Sequence, residues 1–219
     1  MRRHEGAESF GITNPLVTAA DGSKIGKTEK GAVWVTADKT SPYKFHQYWL
    51  NTTDADAGRY LRWFTFLPRE RIEQLEAALA AKPEAREAQM ALADEMTTMF
   101  HGAEETKRAK AAAAALFSGE VRSLDEAMLR EVAEELPSSE IEPARLRDPG
   151  VPLVDLLPET SLAKSKREAR EFLAAGAVLL NGEKAGADAA LRKGDFLHGR
   201  VALLRRGRRN WHAVRLASD

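Results

Sequence analysis

The chain has 219 residues, with 33 lysines and arginines, 33 aspartates and glutamates, and no cysteine. An apolar content of 43% allows one to three domains with a hydrophobic core. The absence of cysteine excludes disulfides, thiolate nucleophiles and Cys-ligated metal sites, and it favours a cytoplasmic location. We expect neither a membrane span nor an export signal, because no apolar segment is long enough for a span and the N-terminus is polar.

The zero net charge conceals an uneven distribution along the chain. Residues 1–59 carry 8 basic and 7 acidic residues, residues 60–149 carry 12 and 18, and residues 150–219 carry 13 and 8. The balances are therefore +1, −6 and +5. An acidic middle beside a basic end indicates separate modules, of which the last has a polyanionic partner.

The first motif is GSKIGKTEKGAVW at residues 22–34. Its GKT triplet at residues 26–28 matches the end of a P-loop, but Gly22 and Gly26 enclose three residues where that motif needs four. A P-loop also leads into a helix, whereas residues 30–36 have the composition of a strand. The motif is therefore not a P-loop. It is either a surface loop with solvated lysines or part of a phosphate site that other segments complete.

The middle of the chain predicts a compact helical domain at residues 53–136. Apolar residues recur at helical spacing in residues 57–64, and residues 83–101 predict a longer helix that ends before a glycine. Ser123 and Glu126 have the spacing of a capping box for a further helix.

Eight aromatic residues occur in and just before this helical region. They could stack on nucleic-acid bases. Their helical spacing instead favours packing in a hydrophobic core. The eight are Tyr43, Phe45, Tyr48, Trp49, Tyr60, Trp63, Phe64 and Phe66.

The composition changes after the helical region. The segment PSSEIEPARLRDPG contains three prolines and a final glycine, which is the composition of a linker. We therefore predict a linker at residues 137–149 and a separate small module at residues 150–219.

This last module combines helix and strand signals. Ser165 and Glu168 form the capping box of a helix whose start and outer side are basic. Asn181-Gly182 is a type I′ turn signal between strands. Two later strands, near residues 196–204 and 211–216, are joined by RRGRRN. Four arginines on one turn repel each other unless a polyanion neutralises them, so phosphate binding is favoured over a solvated turn.

Five motifs, in chain order, resemble the C-terminal half of bacterial tyrosyl-tRNA synthetases, which are class I enzymes. They cover nearly the whole chain. The motifs are GSKIGKTEKGAVW, TSPYKFHQYWLNTTDAD, LRWFTFLP, AQMALADEMTTMFHG and LAKSKREAREFLAAGAVLLNG with LLRRGRRNWH.

The resemblance implies a mainly α fold with a small α+β C-terminal module. Residues 1–52 are expected to be a remnant of the catalytic domain that carries the lysine signature loop, and residues 53–136 a helical anticodon-binding domain. The linker at residues 137–149 then leads to an S4-like RNA-binding domain at residues 150–219.

The resemblance also assigns functional residues. In the family, the signature loop closes over ATP. By position, Lys24 and Lys27 would stabilise charge on the pyrophosphate, Gly26 would allow close approach of the backbone to ATP, and Thr28 would donate a hydrogen bond. The implied ligands of tRNA in the basic module are Lys164, Ser165, Lys166, Arg167, Arg170, Asn181, Arg205, Arg206, Arg208, Arg209 and Asn210.

The chain departs from the family in one respect. It has neither the Rossmann-type domain nor the His-x-Gly-His signature, a spacing that its five histidines do not show. In complete relatives, which are homodimers, the tyrosine pocket, the dimer interface and the main site for ATP with Mg²⁺ lie in that N-terminal half. We therefore expect this chain alone to bind tRNA without catalysing, and we expect no metal or cofactor on it. An autonomous S4-type RNA-binding protein with a vestigial loop and a nonfunctional truncated product are the alternatives.

Overall fold

The computed structural model describes residues 10–13, 16–25, 27, 28 and 31–217, without the side chains of residues 27, 28 and 31. In the described part of the chain, a short hairpin is followed by six α-helices. The hairpin pairs β1 (Lys27–Thr28) with β2 (Gly31–Ala32). The helices are α1 (Pro42–Leu50), α2 (Asp54–Phe64), α3 (Arg69–Ala81), α4 (Glu87–His101), α5 (Ala103–Ser118) and α6 (Glu126–Glu135).

Helices α1 to α4 enclose one hydrophobic core. Its largest fully buried side chains are Phe45, Leu61, Leu75 and Leu92, one from each helix. Most of the aromatic cluster lies in or against this core, so the prediction of core packing is confirmed for those residues. Tyr43 is buried in a second cluster, with α5 and α6, whereas Trp63 and Phe66 are exposed, with fractions of 49% and 90%.

Two helix boundaries differ from the prediction. The helix predicted at residues 83–101 begins at Glu87, because Arg86 adopts a left-handed conformation with φ of +54° after a 3₁₀ turn. The predicted capping box at Ser123 is wrong. Asp125 caps α6 instead and accepts a hydrogen bond from the Met128 N–H at 2.8 Å, because a 3₁₀ turn places Ser123 before the helix.

The C-terminal module is built on a five-stranded sheet in the order β3-β9-β8-β5-β6. Strand β3 pairs in parallel with β9, and the other neighbours are antiparallel. A smaller sheet pairs β4 with β7. The elements are β3 (Ser138–Ile141), β4 (Val151–Pro152), α7 (Leu153–Leu156), α8 (Lys166–Ala174), β5 (Val178–Leu180), β6 (Glu183–Lys184), β7 (Ala190–Leu191), β8 (Val201–Arg206) and β9 (Asn210–Leu216). The predicted fold class, mainly α with a small α+β module, is confirmed.

The segment predicted as a linker, residues 137–149, is not a simple connection. It contains β3, which adds a strand to the sheet with Ser138 opposite Ala213 and with Ile141 buried. Two of the three prolines that suggested a linker, Pro137 and Pro143, lie just outside this strand, and β3 is at the edge of the sheet, where proline is tolerated. The division of the chain into domains remains a prediction.

Both faces of the sheet are covered. On β8 and β9, Ala202, Leu204 and Val214 face the core that contains α7 and α8. Val201, Leu203, Trp211 and Ala213 alternate with them and pack against α5 and α6. The sheet therefore joins the helical region to the C-terminal module through a shared hydrophobic cluster.

A glycine pair marks a very close approach between these two parts. Gly182, in the turn after β5, has φ of +89°, and a Cβ atom there would lie 1.9 Å from the carbonyl oxygen of Gly119. Gly119 ends α5 with φ of +94°. Beside it, the Arg205 guanidinium donates hydrogen bonds to the carbonyls of Leu116 and Phe117, each at 3.3 Å. Helix α5 is thus bound to the sheet by backbone contact and by charge-assisted hydrogen bonds.

His212, on β9, connects the edge strand β3 to the loop that contains Ser161. Its Nδ1 lies 3.2 Å from the Ser161 backbone N–H, which can only donate, so Nδ1 accepts. Nε2 therefore carries the proton and donates to the Ser139 hydroxyl at 3.0 Å. Burial lowers the pKa of His212 below its usual value of 6.5.

The lowered pKa predicts acid sensitivity. Below about pH 6.5 the unfolded chain binds a proton at His212 that the folded chain resists, so the free energy of unfolding should fall as the pH drops from 7 towards 5. The variant His212→Asn removes this titration. We expect it to lose less stability between pH 7 and pH 5 than the parent does, as measured by urea unfolding. Equal losses in the two proteins would contradict the prediction.

Candidate nucleic-acid interface and signature loop

The structure describes part of the motif at residues 22–34, which we call the signature loop. Lys24 is exposed, and its backbone forms an antiparallel bridge with Thr18. Gly26 lies outside the described residues. The backbone of Lys27 and Thr28 forms β1, and their side chains lie outside the described part. The strand predicted from residues 30–36 is shorter than expected, since β2 covers two residues.

The segment just before the loop contacts helix α2. The Ala20 N–H donates to the Asp56 carboxylate at 2.8 Å, and the Arg59 guanidinium donates to the Thr18 carbonyl at 3.0 Å. Sequence reasoning missed both side chains. An aspartate and an arginine three residues apart on a helix usually form a surface pair, so the local pattern carries no signal for this contact.

Helix α8 begins at the predicted N-cap, but the capping box is only half formed, because the Glu168 carboxylate bonds the N–H of Lys164 instead of that of Ser165. The Ser165 hydroxyl accepts from the Glu168 N–H at 3.2 Å, and the Glu168 carboxylate accepts from the Lys164 N–H at 2.6 Å. Ser165 is therefore the N-cap of the helix, and its hydroxyl is engaged there. The cap also fixes the start of α8 and therefore the position of the basic residues in its first turn.

The four cations of this helix start are all exposed. Lys166 pairs with Asp155 at 2.7 Å, and Arg167 pairs with Glu171 at 3.1 Å. Exposed pairs of this kind contribute little to stability, so a phosphate can replace either carboxylate at low cost. The other two cations are Lys164 and Arg170.

The four arginines of the RRGRRN turn do not act as one group. Arg205 stacks on the Trp211 ring at 5.1 Å while it bonds the end of α5. Arg206 donates to the Leu162 carbonyl at 2.7 Å and lies 4.6 Å from the Phe172 ring. Both side chains therefore make contacts within the protein, and their place in a phosphate site remains a prediction.

Arg208 and Arg209 have the predicted exposure. They form the turn between β8 and β9 together with Gly207, whose φ is +63°. The Gly207 N–H donates to the Ala177 carbonyl at 3.0 Å, which brings the turn against the residue just before β5. Asn210 is also exposed, at the start of β9.

Asn181 has a structural place instead of the predicted contact with RNA. It is 2% exposed, its amide donates to the Asp195 carbonyl, and its oxygen accepts from the Leu203 N–H at 2.8 Å. The type I′ turn itself is confirmed, because Asn181 and Gly182 have φ of +50° and +89°. Asn181 is the basis of both the turn prediction and the predicted contact with RNA. Its place in the turn is sufficient to explain an asparagine at this position.

The resulting basic surface comprises the exposed cations of α8 and of the turn. Arg206 links the two elements, since it touches Leu162 and Phe172 and lies 3.7 Å from Glu168. We name this set the basic face: Lys164, Lys166, Arg167, Arg170, Arg208 and Arg209. In the described part of the chain, no group of three acidic or histidine side chains could hold a metal ion. Nor does any helix of that part have the length and apolar character of a bilayer span.

Comparison with known proteins identifies the family. Residues 1–118 match the family model described as tRNA synthetases class I (W and Y), and residues 129–214 match the tyrosine–tRNA ligase SYY-like C-terminal domain. The chain belongs to the class I tRNA synthetases of the tryptophan and tyrosine type. Within that family, the predicted resemblance to tyrosyl-tRNA synthetases is confirmed.

Similar proteins include tyrosine–tRNA ligases of bacteria. The tyrosine–tRNA ligase of Geobacillus kaustophilus is 43% identical over 99% of this chain, and that of Bacillus pumilus is 44% identical over 96%. The chain spans about half the length of these relatives, 51% and 49%. A solution structure of a tyrosyl-tRNA synthetase C-terminal domain is 36% identical in sequence, with a TM-score of 0.36. The match covers 47% of this chain and the whole of the solved domain.

Proposed function

We propose that this chain binds tRNA as the C-terminal portion of a tyrosine–tRNA ligase. The observation that carries the proposal is the basic face, which lies on a module that matches the C-terminal domain of such ligases. Phosphate contacts supply most of the affinity in tRNA binding, and exposed cations on a rigid element suit them. The helical region would add the contact with the anticodon, and the location would be cytoplasmic.

In the complete enzyme, the signature loop would act in ATP-dependent attachment of tyrosine to its tRNA. Lys24 is exposed at the end of a bridged turn, and its ammonium group suits the polyphosphate of ATP. By family position, Lys27, Gly26 and Thr28 would join it. ATP with Mg²⁺ would supply the activated phosphate. Two lysines on a loop cannot align reactants by themselves, so we expect no catalysis by this chain alone.

The double variant Arg208→Glu/Arg209→Glu tests the basic face. Each lost phosphate contact costs roughly 1 kcal/mol or more, so tRNA affinity should fall on the order of tenfold or more. The affinity of the parent should also decrease steeply with rising salt because counterions are released, and the variant should show a smaller slope. Binding is measured by filter retention or anisotropy with a tyrosine-accepting tRNA at several salt concentrations.

The matched control is Lys184→Glu/Lys193→Glu. It makes the same change in net charge at two exposed positions of the same module that are not part of the basic face. We expect a much smaller effect on affinity. If both double variants bind tRNA as tightly as the parent at moderate salt, the arginine turn is a solvated hairpin and the proposed interface is wrong.

A further inference from the structure

An ion pair on helix α2, between a buried aspartate and a partly exposed arginine, holds the segment that precedes the signature loop. The Asp56 residue is 4% exposed, and its Oδ1 accepts from the Ala20 N–H at 2.8 Å. Arg59, one turn further along α2, pairs with the same carboxylate and donates to the Thr18 carbonyl at 3.0 Å. Two side chains of one helix therefore bind the backbone at two positions of a segment that lies 36 to 41 residues away in sequence.

The held backbone leads directly to Lys24. Thr18 and Lys24 pair as an antiparallel bridge, and the Ala19 N–H donates to the Ser23 carbonyl at 2.9 Å. The Gly22 N–H donates back to the Ala19 carbonyl, also at 2.9 Å. Residues 18–24 therefore form a closed turn. Because the turn is closed by its own hydrogen bonds, fixing Thr18 also fixes the backbone of Lys24.

The pair itself is rigidly supported. Oδ2 of Asp56 accepts from the Thr53 hydroxyl at 2.8 Å, so each carboxylate oxygen has a donor. The Arg59 guanidinium lies 5.0 Å from the Trp63 ring and 5.7 Å from the Tyr60 ring. A buried carboxylate is costly unless it is paired and fully hydrogen-bonded. Arg59 therefore compensates the Asp56 charge while it also contacts the segment.

The far side of the loop is bonded to the segment that precedes α1. The Trp34 N–H donates to the Thr40 hydroxyl at 2.9 Å, and Thr40 is 1% exposed, one residue before the N-cap of α1. Between the two attachments lies a cavity of about 460 Å³, whose walls include Ala19, Val33 and Tyr60. The turn is therefore not packed tightly against α1 and α2 throughout. Ile25, just after the turn, packs against the core of α1 to α4, while the polar contacts attach residues 18–20.

We propose that Asp56 and Arg59 are positioning residues that hold Lys24 in place from helix α2, and so connect the helical region to the signature loop. The importance of Lys24 in catalysis rests on the proposed function. The attachment of the turn does not, since it concerns the free chain and can be measured without substrate.

Hydrogen exchange of the 219-residue chain tests the proposal. In Arg59→Gln and in Asp56→Asn, the amides of Ala19 and Ala20 should exchange on the order of tenfold faster or more, as expected when a charge-assisted hydrogen bond is lost. Amides in the middle of α4 and α5 should keep the exchange rates of the parent. Arg59→Lys, which retains the charge, should restore part of the protection.

Two comparisons separate positioning from general stability. Arg62→Gln removes another ion pair of α2, with Glu76 at 2.6 Å, which does not involve the turn, and it should leave the exchange of residues 18–24 unchanged. The double variant Asp56→Asn/Arg59→Gln should increase exchange no more than the stronger single variant, because the pair acts as one unit.

The proposal is overturned if residues 18–24 exchange at the parental rate in both single variants. It is equally overturned if exchange rises to the same extent in these residues and in α4, because the pair then stabilises the helical region as a whole. Faster exchange confined to the turn supports the attachment. That result holds even if tRNA binding or adenylate formation fails in the experiments on the proposed function.

Discussion

Gly182→Ala is expected to lower the free energy of unfolding by about 3 kcal/mol or more, because overpacking and a left-handed backbone each carry a cost of one to three kcal/mol. The new Cβ atom would lie 1.9 Å from the Gly119 carbonyl oxygen, well inside contact distance. The opposing atom is backbone at the end of α5, which Arg205 holds in place, so it cannot move aside cheaply. Urea unfolding followed by circular dichroism gives the measurement.

Two other glycines of the module provide matched controls. Gly199 has φ of +71°, but nothing lies within 4 Å of its added Cβ atom, so Gly199→Ala reports the backbone strain alone. Gly186 has open space and no positive φ, so Gly186→Ala should change stability by less than about 0.5 kcal/mol or raise it slightly. If Gly182→Ala costs no more than Gly199→Ala, the contact with α5 is not tight and the two parts are less firmly joined than the structure indicates.

The hydrophobic cluster that the sheet shares with α5 and α6 explains why charge and proline content give an incomplete picture of the fold. Composition distinguishes a helical region from a basic module, and the structure contains both. Composition does not show that β3 comes from the segment predicted as a linker, because β3 pairs with a strand more than 70 residues away in sequence, β9. The sequence does carry one signal for the covered sheet. Val201-Ala-Leu-Leu204 is continuously apolar, whereas a strand with one solvated face would alternate with polar residues.

The different places of the arginines follow from strand geometry. Successive side chains of a strand point to opposite faces, so Arg205 continues the face of Leu203 towards α5 and Arg206 continues the face of Leu204 towards α8. Arg208 and Arg209 lie beyond the strand, in the turn, and stay exposed. The pattern RRGRRN does not by itself distinguish the two arginines on the strand from the two in the turn. That distinction depends on where β8 ends, and the ends of elements are the part of a sequence prediction most often misplaced.

The contact between helix α2 and the segment before the signature loop could not be predicted from local pattern. Asp56 and Arg59 have the spacing of an ordinary helical ion pair, and the segment that they bind has no regular structure of its own. The motif at residues 22–34 identified the loop through family resemblance, which conveys residue identity and order. How the loop is supported depends on tertiary contacts that the motif does not encode.

The variant Lys27→Ala addresses the loop itself, and its largest effect is expected only when the catalytic half is present. In the isolated chain, the variant should change neither the unfolding free energy nor the affinity for tRNA, because the lysine serves a transition state that this chain does not assemble. Neither version alone should form tyrosyl-adenylate. The checks are urea unfolding, tRNA binding and tyrosine-dependent pyrophosphate exchange, with preparations free of host synthetase.

When a purified N-terminal half of a related tyrosine–tRNA ligase is added, or fused before residue 1, the parent chain should support adenylate formation. Lys27→Ala should then lower the rate on the order of a hundredfold or more, the scale of losing one preorganised charge-stabilising donor. Lys30→Ala, three residues along the chain and outside the GKT triplet, is the matched control and should have a much smaller effect. An active mixture that is indifferent to Lys27 would remove the role assigned to the loop. If neither the mixture nor the fusion forms adenylate although the fusion folds, the autonomous RNA-binding alternative gains support, because a vestigial loop would add nothing to a catalytic half.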